Sequence, residues 1–426
     1  MSTKSRLIVI NFLQFFVWGA WMMTLGSYGF KEKNWDGAAF GLVFSTMGFA
    51  SIVMPTLFGI IADKWKANYV FVLLHLLFGI TMCFLPLIDT PMSFFWLLLL
   101  AMCFYMPTIG LNNSIGFGIL KREGKDPTTA FPPIRVWGTI GFIASMWLTN
   151  FFTKTWGLGY SLKVSFIISA VGALCLAAYA FVALPTIESE REQDKKQSLV
   201  EKLGLQAFVL FKQKKMAIFF VFSLLLGAAL QLTNAYGDAF LQDTTVFPEG
   251  TIVFNFSTII LSISQMSETL FILAIPFFMN RFGIKKVMLA SMLAWVLRFG
   301  LFGLAENSGL GFVFIVISCM VYGMAFDFFN ISGALFVEKN TAANIQSSAQ
   351  GVFMLMTNGV GAVLGNIVAG EVISNYFEPN GIRIWNIGNF ENPVWLNIWF
   401  IFAAYALVIA VAFAIIFKYK YIPDKK

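Results

Sequence analysis

Apolar residues fill most of the chain in long runs, and the breaks between runs are short and polar. A helix needs about 20 apolar residues to cross the hydrocarbon core of a bilayer. Twelve stretches meet that need: 6–30, 38–62, 69–88, 93–120, 132–153, 162–184, 215–242, 251–280, 285–305, 309–337, 344–376 and 394–418. Between the sixth and seventh lies the one long polar segment, which opens Ile187-Glu188-Ser189-Glu190-Arg191 and continues to about Lys215. The pattern predicts an all-α membrane protein: a six-helix bundle over 1–185, a cytoplasmic linker over 186–214 and a second six-helix bundle over 215–426. Met1 to Arg6 lead straight into the first run without a small-residue cleavage site, so that run reads as a retained span.

Composition narrows the class. The chain is 58% hydrophobic and 12% charged, with 49 Phe and a mean hydropathy of +0.77. A soluble domain is about 45–50% apolar and about 25% charged, so a soluble enzyme and a disordered chain are excluded. The single His75 and the four cysteines (Cys83, Cys103, Cys175 and Cys319) all lie in apolar runs without metal-ligand spacing. No metal, cofactor or catalytic nucleophile is expected, which argues against a membrane-embedded enzyme.

Charge sets the topology. With the N-terminus inside, 22 of the 29 Lys and Arg fall on cytoplasmic segments and five on outside loops. The other two, Arg135 and Arg298, lie within spans. This asymmetry predicts both termini in the cytoplasm of a multi-pass inner-membrane protein. It also accounts for the net charge of +7 without a nucleic-acid partner.

Sliding the halves by 217 residues superposes Gln14 on Gln231, Tyr105 on Tyr322, Asn113 on Asn330 and Gly116 on Gly333. Together these matches suggest two pseudo-symmetric bundles, the plan of the major facilitator superfamily, with a central site between the halves. The turn after the second span carries Gly59, Asp63 and Lys64 of that superfamily's motif. Its copy after the eighth keeps Arg281, Gly283 and Lys285 but has Pro276 and Asn280 in place of Gly and Asp.

Polar residues inside spans need a reason, because a charge at a helix centre costs about 2.5–3.5 kcal/mol on insertion scales. Arg135, Glu268, Arg298 and Asp327 stand out, whereas Asp238 and Glu371 lie nearer helix ends, where water can reach them. Arg135, Thr139 and Phe142 are spaced i, i+4, i+7 on one helix face. Gln231 and Asn234 are spaced i, i+3, as are Gln265 and Glu268, and Asp327 follows Phe326. These stripes point to a water-filled cavity, although Gln231, Asn234, Gln265 and especially Gln14 could equally link helices by hydrogen bonds. Arg298 is expected to reach inward to an acid. His75 reads as a packed residue rather than a proton relay.

At the 217 offset Glu268 falls on Ser51 and Asp327 on Gly110, so neither central acid has a counterpart in the first half. Acids in one copy only suggest a specialised task, proton coupling. Such acids can take up and release a proton inside a low-dielectric cavity.

At these residues the chain resembles the bacterial nucleoside:proton symporter (nucleoside permease) family of the major facilitator superfamily. The stretches that carry the resemblance are Phe131 to Phe142, Leu230 to Asn234, Ser262 to Phe271 and Ala325 to Ser332, with Phe12 to Gly19 and Leu25 to Tyr28. The resemblance spans nearly the whole chain. It implies a proton-coupled nucleoside importer working by alternating access, with Arg135, Thr139, Phe142, Gln231, Asn234, Gln265, Glu268, Phe326 and Asp327 as substrate residues. Glu268 or Asp327 is expected to carry the proton. Arg298 is a nearby counter-charge by analogy with proton-coupled sugar permeases.

The implied partners are a nucleoside, protons and the lipid bilayer, and the protein is expected to act as a monomer. The Asp243–Ile252 and Glu378–Asn392 loops match the family poorly and could alter access from outside. A sugar or glycoside symporter of similar build is the alternative. A channel and a drug exporter are weaker readings.

Overall fold

A backbone in hydrocarbon must satisfy its polar groups internally, and a single segment can do so only as a helix. Every regular element among the described residues is helical. The structure, a computed structural model, describes residues 2–154, 161–185, 205–342, 345–376 and 393–419. Most of the expected linker, the Glu378–Asn392 loop and the side chain of Asp63 lie outside that description.

Ten helices, all but Thr3–Gly19 and Pro132–Lys154 long and apolar enough to cross a membrane, follow directly from the helix boundaries. They are α1 (Thr3–Gly19), α2 (Gly37–Ala62), α3 (Ala67–Leu87), α4 (Pro91–Arg122), α5 (Pro132–Lys154), α6 (Lys163–Ala183), α7 (Lys214–Leu241), and, after one longer helix, Gly309–Lys339, Ser348–Tyr376 and Val394–Ile416. The longer helix, Ser257–Gly303, has 47 residues. At 1.5 Å per residue it would measure about 70 Å, more than twice the hydrocarbon thickness. Gly283 breaks it with φ 74° and ψ 167°, a conformation that side-chain-bearing residues rarely adopt. The break yields α8 (257–282) and α9 (284–303), and the last three helices become α10, α11 and α12. Twelve long helices result among the described residues, at nearly the positions read from the apolar runs, except that α1 ends at Gly19 where the run continues to 30.

Several of these helices are interrupted, α2 among them at Ser45, between Gly37–Phe44 and Thr46–Lys64. α1 is followed by a short turn and a π-helical segment, Tyr28–Glu32. α7 breaks at Gln231, between Lys214–Leu230 and Leu232–Leu241. α11 contains a π-helical turn, Leu355–Gly361. Such irregularities inside a span are tolerated where the backbone is covered by protein or lines a cavity, and π-turns recur at functional positions.

Contacts divide the chain into two compact units. One comprises Met1–Trp35 and Leu42–Gln197, the other Asp36–Gly41 and Ser198–Lys426. In the first unit α1 packs against α5 and α6. Ser169 Oγ donates to the Val17 carbonyl at 2.7 Å, and Thr149 Oγ1 to the Ala20 carbonyl at 3.0 Å.

In the second unit α10 packs along α8 and α9, α7 along α11, and α12 along α9. Trp399 of α12 is buried among Phe240, Phe299 and Phe302, with ring centroids 5.0–5.9 Å apart. The segment Asp36–Gly41 belongs here because the Ala38 N–H reaches Ser374 Oγ at 3.4 Å and the Phe40 ring meets Tyr236 at 5.2 Å. Leu205–Lys212, within the expected linker, forms a 3-10 helix with Ala207 and Leu210 buried. Those two bury as residues of a purely polar linker would not, while Phe208 and Val209 stay exposed. The Asp243–Ile252 loop is tied to α12, where Trp395 Nε1 donates to Asp243 Oδ2 at 3.0 Å.

The α8–α10 approach is the tightest constraint near the acids. A Cβ at Gly323 would lie 2.5 Å from the Ser267 carbonyl oxygen, and the Gly323 N–H donates to Ser267 Oγ at 3.2 Å. Gly323→Val should therefore cost about 1–3 kcal/mol as an overpacked core position, read as a lowered unfolding temperature in detergent. Gly300→Ala, with no heavy atom within 4 Å of the added Cβ, should be neutral in the same assay.

Beyond the spans, Lys33 Nζ meets Asp89 Oδ1 at 2.6 Å in the loop between α3 and α4. The ammonium donates to the carboxylate and holds Asp89 below the usual carboxylate range. The stabilisation is therefore present above the ordinary Asp value and is lost as pH falls through the depressed one. Asp89→Asn should lower the unfolding temperature slightly at neutral pH. The gap to the parent should close as pH falls well below the ordinary Asp value.

Candidate functional site

Each unit contains its own polar patch. In the first, Gln14 Nε2 donates to Thr108 Oγ1 at 2.8 Å, and the Tyr105 hydroxyl donates to the Gln14 carbonyl at 2.6 Å. Asn112 Nδ2 donates to Asn11 Oδ1 at 2.9 Å. All five residues are buried. These bonds join α1 to α4, which is the structural role expected of Gln14. His75 is buried, with Nδ1 2.9 Å from the Phe71 carbonyl and its ring against Phe71 and Tyr105. It is a packed residue, as its position in α3 suggested.

Arg135 is half-buried and sets its guanidinium 3.8 Å above the Phe15 ring centroid. A cation over an aromatic face gains roughly 0.5–2 kcal/mol, depending on desolvation. Thr139, one turn on, is half-buried, and Phe142 packs edge-on to Trp18 at 6.4 Å. Arg135, Thr139 and Phe142 thus share one stretch of α5, with α1 aromatics beside two of them.

The second patch is formed by α7, α8, α9 and α10. Asn234 Nδ2 donates to Gln231 Oε1 at 3.2 Å across the break in α7. Asn234 also lies close to the Tyr322 hydroxyl of α10. The Tyr322 ring stacks on Phe326, with centroids 5.5 Å apart and planes inclined by 16°. Gln265 is buried one turn before Glu268 on α8, and Glu268 is half-buried.

Asp327 is 5% exposed, and its Oδ2 has no hydrogen-bond partner among the described residues. Glu268 is close enough for the charges of the two carboxyls to interact. A buried carboxylate oxygen without a partner is costly, and two adjacent carboxylates repel each other. Accepting one proton relieves both costs. Gln231, Asn234, Phe326, Glu268 and Asp327 therefore lie in one neighbourhood of the second unit.

Arg298 departs from expectation. It is 1% exposed, but its bonds go to neutral oxygens rather than to an acid. Nη1 donates to the Ser318 carbonyl at 2.6 Å, Nε to Thr233 Oγ1 at 3.3 Å and Nη2 to Ser264 Oγ at 3.3 Å. The Tyr322 ring lies 4.6 Å away and Phe302 5.4 Å away. Hydroxyls, a carbonyl and ring faces suffice to solvate the guanidinium, so no carboxylate is needed.

Asp238 also differs from the reading as a residue that water can reach. It is fully buried, with Oδ1 accepting from Ser257 Oγ at 2.7 Å and Oδ2 from Gln242 Nε2 at 2.9 Å. These bonds tie the end of α7 to the start of α8. Glu371 is exposed, as expected.

Tyr322 is the residue missing from the expected set. Its signals were in the sequence: it stands one helical turn before Phe326, and at the 217 offset it matches Tyr105. Thr233 and Ser264 were also overlooked, although each adjoins an expected site residue. Neighbours on a helix are about 100° apart, so Asn234 and Gln265 can face the patch while Thr233 and Ser264 turn to α9.

A twelve-span helical fold with two interacting acids and a buried amide and aromatic patch defines a polytopic transporter. Comparisons with known proteins make the class specific. The family model described as Nucleoside H+ symporter matches residues 1–421. The xanthosine permease of Escherichia coli (strain K12) is 46% identical over 428 residues, covering 100% of this chain and 98% of its own length. Nucleoside permease NupG of the same organism is 46% identical over 426 residues, covering 99% and 97%.

A crystal structure of a NupG variant superposes with a TM-score of 0.91 at 45% identity, covering 98% of this chain and 100% of that one. The peptide transporter PepTSo, 13% identical with a TM-score of 0.71 over 97% of both chains, shares the fold alone. The chain belongs to the nucleoside H+ symporter family and has the major facilitator superfamily fold. It is a multi-pass membrane transporter of the nucleoside:proton symport class and not an enzyme, and the sugar or glycoside alternative is not favoured.

Proposed function

We propose that Gln231, Asn234, Gln265 and Phe326 bind the nucleoside and that Glu268 and Asp327 carry the coupled proton. Arg135, Thr139 and Phe142 of the first unit contribute to substrate binding in the same reading. The observation that carries it is Asp327, buried with an unpartnered carboxylate oxygen beside Glu268. The side-chain chemistry suits a nucleoside. Amide groups present a donor and an acceptor to ribose hydroxyls and base edges, and an aromatic face receives a flat base.

Coupling follows from linkage. If nucleoside binds better when one acid is protonated, the proton binds better when nucleoside is present, by the same factor. One proton moving through about 100 mV supplies about 2.3 kcal/mol, and each pH unit adds about 1.4 kcal/mol. Together these sustain accumulation of roughly a few hundred-fold.

We read the two units as six-helix bundles over 1–185 and 215–426, joined by a linker over 186–214 and working by alternating access. The excess of Lys and Arg on one set of segments supports cytoplasmic termini in a bacterial inner membrane. The protein is read as a monomer in the lipid bilayer, so its mass in detergent should be that of one 47.6 kDa chain plus the micelle.

Uptake of labelled uridine or adenosine into cells lacking their own permeases tests the central claim. The parent should accumulate nucleoside, and a protonophore should abolish the gradient. Asp327→Asn or Glu268→Gln should reduce accumulation to about the external concentration, from roughly a few hundred-fold. Full proton-driven accumulation by both variants would show that the coupling site lies elsewhere.

A further inference from the structure

Arg298 is the largest charged side chain buried in the second unit, and neither nucleoside binding nor proton uptake as described requires it to touch a ligand. Its surroundings are unusually complete. Acceptors from three helices take its three kinds of nitrogen: Thr233 on α7 (3.3 Å), Ser264 on α8 (3.3 Å) and the Ser318 carbonyl on α10 (2.6 Å). Ser318 Oγ in turn donates to the Arg298 carbonyl at 2.9 Å. The planar fork is thus fixed in position and orientation. A lysine could supply the charge, but not this geometry.

The Tyr322 ring lies on this platform, 4.6 Å from the guanidinium carbon. Trp295 of α9 packs edge-on against the same ring at 5.9 Å. From Tyr322 two connections run to the proposed nucleoside residues. The ring stacks on Phe326, and the Tyr322 hydroxyl lies close to Asn234, which donates to Gln231. Arg298 therefore lies one side chain away from both the aromatic and the amide part of the site. A buried charge that served only to fasten helices could be replaced by apolar packing at little cost. One that also sets the position of Tyr322 could not.

We propose that Arg298 is a positioning residue for nucleoside binding, acting through Tyr322 to hold Phe326 and Asn234 in register. This rests on the reading that Phe326 and Asn234 contact the nucleoside. It assigns Arg298 a role other than counter-charge to an acid.

The test is a double-mutant cycle on purified protein, with uridine affinity measured by calorimetry and unfolding temperature followed in parallel. Arg298→Lys should weaken uridine binding by about tenfold, as should Tyr322→Leu. In the double variant the lysine should add less than about twofold to the loss caused by Tyr322→Leu alone, because the element it acts through is gone. Losses that multiply would overturn the proposal, as would full affinity in Arg298→Lys. A fastening role alone would lower the unfolding temperature in both backgrounds without this dependence on Tyr322.

If Arg298→Lys is not recovered from the membrane, Ser264→Ala removes one acceptor with the guanidinium in place, and the same two outcomes apply to it. Asn234→Ala separates the levels. Unchanged uridine affinity in that variant would refute the site reading itself. Weakened affinity there, with Arg298→Lys and the parent alike, would refute only the role of Arg298.

Discussion

A polar side chain surrounded by hydrocarbon must find its partners within the protein, and the second unit is organised by that demand. Arg298 meets it with Thr233, Ser264, Ser318 and two aromatic rings. Asp238 meets it with Ser257 and Gln242. Asp327 does not meet it through Oδ2. The contrast separates charged groups hydrogen-bonded by their neighbours from an acid that keeps one oxygen without a partner among the described residues.

Close helix approach serves the same end. Gly323 lets α10 lie against the backbone of α8 at Ser267, the residue before Glu268. Four residues further along α10 stands Asp327, so this close approach and the buried acid share one stretch of helix. The break in α7 falls at Gln231, whose amide oxygen accepts from Asn234 one turn on. Packing and chemistry are thus set by neighbouring positions on the same helices.

The spans were legible because hydrocarbon imposes a length and a composition, and the apolar runs match α1 to α12 closely. The unusual polar residues were legible for the converse reason: each is expensive and therefore conspicuous. Partners were not legible. Arg298 was matched with an acid because charge suggests charge, yet distributed hydroxyls such as Thr233 and Ser264 solvate it equally well and look ordinary in a sequence. Asp238 was judged by its distance from a helix end, which says nothing about the Ser257 and Gln242 bonds that cover it. Tyr322 was visible only as a repeat marker, because an aromatic residue in a span is cheap and draws no attention. Leu205–Lys212 was absorbed into a polar linker, since its few apolar residues are too short a run to register.

The repeat-related tyrosines are held in different ways. Tyr105 gives its hydroxyl proton to the main-chain oxygen of Gln14, which cannot turn away without unwinding α1. Tyr322 instead sets its ring between the Arg298 guanidinium, 4.6 Å away, and the Phe326 ring, 5.5 Å away. One tyrosine is tied to main chain, and its repeat partner is clasped by side chains alone.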